Sequence, residues 1–77
     1  MARTASDWTR NPGPRFTLER NGYQLEAREN KFSLHGGFLA TVTAPDGTVV
    51  LDAERTDTKS RAMNRAIKAA DEHLAAN

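Results

Sequence analysis

Met63, Ala66, Ile67, Ala70 and Leu74 recur at i, i+3, i+4, i+7 and i+11, which places five apolar side chains on one stripe of a helix within Thr56 to Asn77. Such a stripe is stable only against a partner surface, so the rest of the chain has to supply one. The opposite ribbon carries Arg61, Arg65, Lys68 and Glu72, and Asp57 or Thr58 stands where a side-chain oxygen can cap the first amides. Alanine at many remaining positions favours helix locally. The charge order runs against the helix dipole, with Lys59 and Arg61 in the first turns and Asp71 and Glu72 in the last. Arg61 and Arg65 also repel at i, i+4, by about 0.2–0.5 kcal/mol. Two readings of this ribbon stand side by side: a solvated face, or residues kept for a binding site.

The partner surface is legible upstream. Asn21-Gly22 is a type I′ turn signal between alternating residues, so Arg15 to Glu29 reads as a hairpin. A two-residue loop pairs Arg20 with Tyr23, Leu18 with Leu25 and Phe16 with Ala27, leaving Thr17, Glu19, Gln24, Glu26 and Arg28 on the other face. Phe32 and Leu34 fall out of phase with Tyr23, Leu25 and Ala27, which predicts a bulge or break near Asn30-Lys31, and Gly36-Gly37 permits a sharp turn. A second hairpin turns at Pro45-Asp46-Gly47-Thr48. Pairing Ala44 with Val49, Val42 with Leu51 and Ala40 with Ala53 gathers Phe38, Ala40, Val42, Val49 and Leu51 on one face. Its other face, Leu39, Thr41, Thr43, Val50, Asp52 and Glu54, is half apolar: either a dimer or partner contact, or a plain solvent-facing sheet.

Residues 1–14 are polar and broken by Asn11, Pro12, Gly13 and Pro14, so they read as a flexible arm. Trp8 in that arm either folds back onto the domain or anchors a partner, and Arg3, Arg10 and Arg15 give the arm a weak attraction for anions. The expected architecture is α+β: a single β-β-β-β-α domain over 15–77. Its four-stranded antiparallel meander of two hairpins is followed by one C-terminal amphipathic helix packed on one face.

At 77 residues the chain buries only about 60–65% of its unfolded surface, so a homodimer would help it. Hydrophobic content of 38% with 27% charged residues describes a soluble globule. No apolar run approaches the roughly 20 residues that span a bilayer, and no signal-type segment opens the chain, which points to the cytoplasm and away from membranes. Zero cysteines remove disulfides, thiolate nucleophiles and Cys-type zinc sites together. A net charge of +1 is too mild to imply nucleic acid by itself, so any basic patch must be local.

Catalytic groups are sparse. His35 reads as a turn residue beside Gly36-Gly37, and His73 suits the carboxyl end of a helix; they stand on different elements, without metal-ligand spacing. Glu26, Glu29, Asp52 and Glu54 lie mostly on outward strand positions, where nothing raises a carboxyl pKa for acid catalysis. No phosphate-cradling GxxxxGK loop is present. The expectation is a non-enzymatic protein without cofactor or metal. Binding is better supplied: Arg55, Lys59, Arg61 and Arg65, with Lys68 further along, gather near the helix amino end, where free amides already favour an anion. That anion is either a nucleic-acid phosphate or the carboxylates of an acidic protein.

Phe38, Ala44-Pro45-Asp46-Gly47-Thr48-Val49-Val50, Thr58-Lys59-Ser60 and Arg65-Ala66-Ile67 together resemble the small YegP-type domain of unknown function, in which a strand, a turn, a second strand and a Ser-Lys-led helix recur. The resemblance implies a sheet-plus-helix fold, paired into a dimer, with no catalytic residues. The aromatic residue that family carries before its helix is replaced here by Glu54-Arg55-Thr56-Asp57. Arg10-Asn11-Pro12-Gly13 followed by Leu18-Glu19-Arg20-Asn21-Gly22 is similar to small phage-encoded anti-CRISPR proteins. That likeness implies an inhibitor, encoded by a phage or mobile element, that occupies a surface of a host protein or nucleoprotein complex. The alternative expectation is a nucleic-acid-binding module that contacts phosphates through the basic helix end.

Overall fold

The computed structural model describes residues 8–13, 15–31 and 36–76. Five strands and a helix follow in chain order: β1 Thr9–Asn11, β2 Arg15–Arg20, β3 Tyr23–Glu29, β4 Phe38–Thr43, β5 Val49–Thr56 and α1 Lys59–Ala76. The strands form one antiparallel sheet in the order β1-β2-β3-β4-β5, and α1 packs across β3, β4 and β5. No helix among the described residues is long and apolar enough to cross a membrane.

The strand count corrects the expectation of four. β1 comes from the segment read as an arm, and it pairs Thr9 with Thr17, Arg10 with Phe16 and Asn11 with Arg15. Pro12-Gly13-Pro14 hides it from pattern reading because it looks like a linker, yet Gly13 at φ 78° turns the chain back as a tight connection. Trp8, just ahead of β1, is buried in the core. Arg3, Phe32, Leu34 and His35 lie outside the described residues.

The first hairpin has the register its turn dictates: Arg20↔Tyr23, Leu18↔Leu25 and Phe16↔Ala27, around Asn21 at φ 53° and Gly22 at φ 83°. The second hairpin departs from expectation. Val42 pairs with Leu51 as expected, but Thr43 rather than Ala44 faces Val49, and Ala40 faces Glu54 rather than Ala53. Two irregularities cause this. Val50 is an extra residue between Leu51 and Val49, and opposite Thr41 stand both Asp52 and Ala53. Ala53 takes φ 49°, a left-handed conformation costing about 1–2 kcal/mol, and its N–H donates to the Thr41 hydroxyl at 3.2 Å. Past this bulge the strand's faces are exchanged, and Glu54 is directed at the helix instead of outward.

The helix-facing surface carries Tyr23, Leu25, Ala27, Ala40, Val42 and Leu51, all buried, with Phe16, Leu18, Phe38 and Val50 partly buried against them. From α1 come Ala62, Met63, Ala66, Ala69 and Ala70. The stripe is therefore rotated from the expected one: Ala62 and Ala69 join it, Ile67 is half-buried at its edge, and Leu74 is 45% exposed. Ala27 and Ala40 on the sheet and Ala62 and Ala66 on the helix are all fully buried, so small residues on both sides let the two layers pack closely. At the far end Arg20 donates twice to the Asp71 carboxylate, at 3.0 and 3.2 Å, and the Tyr23 hydroxyl lies 2.7 Å from His73 Nδ1. These contacts give His73 and Asp71 structural partners on the sheet.

Candidate functional site

β5 runs into α1 through a short turn that fixes the helix amino end. Thr58 rather than Asp57 is the cap: its hydroxyl accepts from the Arg61 N–H at 3.1 Å and its carbonyl from the Ala62 N–H at 3.0 Å. The Thr56 hydroxyl lies 3.1 Å from the carbonyl oxygens of both Phe38 and Thr58, tying the turn to the start of β4. The first turn of the helix holds no acidic residue. Its dipole is thus left uncompensated from within the helix, and the amides before the cap's reach add to a positive field.

A shallow, open cleft of about 420 Å³ forms at this junction, lined by Arg55, Thr56, Asp57, Arg61, Asn64 and Arg65. Three of the expected basic residues therefore meet. Arg65 is held in place, its Nε donating to Glu54 Oε2 at 2.8 Å, a contact that exists only because the Ala53 bulge turns Glu54 to the helix side. Glu54 also raises the Arg65 pKa above its ordinary value, chiefly by that hydrogen bond, so the guanidinium stays charged. Arg55 and Arg61 are exposed and make no ion pair among the described residues. Lys59 lies with its ammonium 4.6 Å from the centre of the Phe16 ring, a cation–π contact on the flank. Lys68 is exposed on the helix and does not line the cleft.

The residues considered for arm or sheet contacts divide. Trp8 is buried, Val50 packs against the core, and the Thr41 hydroxyl serves the bulge. Leu39 alone lines an open surface, a second cleft on the outer sheet face with Pro12, Gly13, Arg15, Arg28, Glu29 and Lys31. Sequence reasoning missed this cleft although its signal was present. Extending the pairing of Phe16 with Ala27 by one residue sets Arg15 directly opposite Arg28.

Both clefts lie at the same end of the molecule. That end carries Arg15, Arg28, Lys31, Arg55, Lys59, Arg61 and Arg65 against Glu26, Glu29, Glu54 and Asp57, while the other end carries Glu19, Asp46, Asp71 and Glu72 around Arg20. The modest total of +1 conceals this polarity. Among the described residues no three His, Asp or Glu side chains converge as metal ligands. No protein family, curated protein or solved structure matches the chain.

Proposed function

We propose that the protein is a non-enzymatic binding protein that occupies an anionic surface of a partner protein or nucleoprotein complex with its basic end, blocking that surface by bulk and charge. The observation that carries this reading is the convergence of Arg55, Arg61 and Arg65 in one open cleft with a single lining carboxylate, Asp57; among the described residues Arg65 is ion-paired, to Glu54, and Arg55 and Arg61 are not. Uncompensated like charges beside a positive helix end are costly in the free protein and favourable once an anion is bound. Such a device needs no chemistry of its own, which fits an inhibitor encoded by a phage or mobile element and directed at a host nucleoprotein.

Immobilised heparin tests the cleft as a polyanion site independently of any nucleic acid. Wild type is expected to be retained and to elute only with added salt, whereas Arg55→Glu/Arg61→Glu should pass close to the void, since four units of charge are removed from exposed positions. Equal elution of the two would contradict the assignment. A second reading, direct binding of nucleic acid, is favoured by one further arrangement on the outer face of the sheet.

A further inference from the structure

Across that outer face the strand registers align one row: Asn11 beside Arg15, Arg15 beside Arg28, Arg28 beside Leu39 and Leu39 beside Arg55. Neighbouring strands lie about 4.8 Å apart, so Arg15 and Arg28 are nearest neighbours and Arg55 follows two strands on, about 10 Å from Arg28. Like charges directly opposite one another destabilise a sheet. The ion pair present in the row is that of Arg15 Nε with Glu26 at 3.6 Å; Arg28 and Arg55 have none among the described residues. Arg55 belongs at once to this row and to the cleft at the helix end, so the two basic surfaces are continuous.

We infer that this row is a phosphate-contacting surface, and that the partner's anionic surface is the backbone of a nucleic-acid duplex running from Arg15 and Arg28 over Arg55 to Arg61. The inference rests on the binding reading above and names its ligand class. A line of guanidinium groups, two on adjacent strands and a third two strands on, suits a polymer that carries a charge on every unit, and Arg binds phosphate bidentately. The next row on the same face is Thr9, Thr17, Glu26 and Thr41, so that hydroxyl residues of the type that contacts phosphate and sugar flank the basic row around one carboxylate, the one paired with Arg15. No aromatic side chain stands on this face among the described residues, so bases have nothing to stack on, and a paired backbone is favoured over a single strand. Glu26, Glu29, Asp52 and Asp57 lie around the path, and Glu19 towards the far end of the face, orienting the polymer towards the basic end.

The test is an anisotropy titration of a labelled 20-base-pair DNA duplex of arbitrary sequence between 50 and 200 mM salt. Arg15, Arg28, Lys31, Arg55 and Arg61 make five phosphate contacts, so wild-type affinity should fall about 500-fold over that range and be indifferent to sequence. Arg15→Ala/Arg28→Ala should reduce the salt slope by about two units, with Arg15→Lys/Arg28→Lys restoring it. Cooperative melting of each variant verifies its fold separately. An unchanged slope in the alanine pair overturns the sheet-face assignment, and loss of duplex binding in Arg55→Glu/Arg61→Glu at the same time would leave the helix-end cleft standing. Retention on heparin without duplex binding at 50 mM overturns the nucleic-acid class in favour of an acidic protein. Failure on heparin as well removes the polyanion reading itself.

Discussion

Trp8→Ala is expected to destabilise the protein by about 3–5 kcal/mol, the range for removing a large aromatic side chain from a core. Trp8 is 7% exposed and belongs to the same cluster as Tyr23, Leu25 and Met63, so its loss leaves a cavity under β1 that a sheet anchored by α1 cannot collapse to fill. A chain of 77 residues has a total stability of about 4–11 kcal/mol, so the variant should be close to unfolding at 37 °C. Urea denaturation followed by circular dichroism checks this, because removing the only tryptophan removes the usual fluorescence signal. Trp8→Phe should recover much of the loss. A Trp8→Ala protein within 1 kcal/mol of wild type would mean that the tryptophan is a surface group and that β1 is not part of the folded unit.

Gly37→Ala is the second large effect, and it links the fold to the cleft. Gly37 has φ 91°, and a Cβ there would sit 2.5 Å from the Thr56 carbonyl oxygen, a backbone atom that cannot swing aside. The backbone conformation alone costs about 1–3 kcal/mol for a non-glycine residue, and the clash adds to it by pushing β5 away from the start of β4. Thr56 lies between Arg55 and the Thr58 cap, so the displacement should also reduce heparin retention. Gly47→Ala is the control: its φ is 93°, but a Cβ there meets nothing within 4 Å. Thermal unfolding of the two variants should show Gly37→Ala clearly less stable than Gly47→Ala. Equal losses would mean that the close approach of Gly37 to Thr56 does not constrain the structure.

What the sequence disclosed follows from how far each signal reaches. The Asn21-Gly22 turn forces a two-residue loop, and every pair of β2 with β3 then follows without tertiary information. Beyond Val42 and Leu51 the second hairpin departs from strict alternation on both sides: Val50 is an extra residue towards the turn, and Ala53 at φ 49° breaks the alternation towards the helix, where alanine gives no local sign that it will adopt a left-handed conformation. Ala53 decides where Glu54 points, and so why Arg65 is paired. The helix was legible, but its orientation was set by which side chains let it approach the sheet. Alanines at 62 and 69 pack closer than Leu74, and a hydrophobicity pattern weights them the other way. Arg55, Arg61 and Arg65 could be grouped from their proximity in sequence. Arg28 could join them only through registers across β2, β3, β4 and β5, which no single stretch of chain contains.

The most direct test of the basic end as the binding surface is a residue-resolved one: an amide chemical-shift titration of labelled protein with a heparin hexasaccharide. Binding at the basic end is expected to perturb Arg15, Arg28, Lys31, Leu39, Arg55, Thr56 and Arg61, with Gln24, Asp46, Asp71 and His73 at the opposite end unmoved. Shifts centred on that opposite end, or no shifts at saturating ligand in low salt, would contradict it.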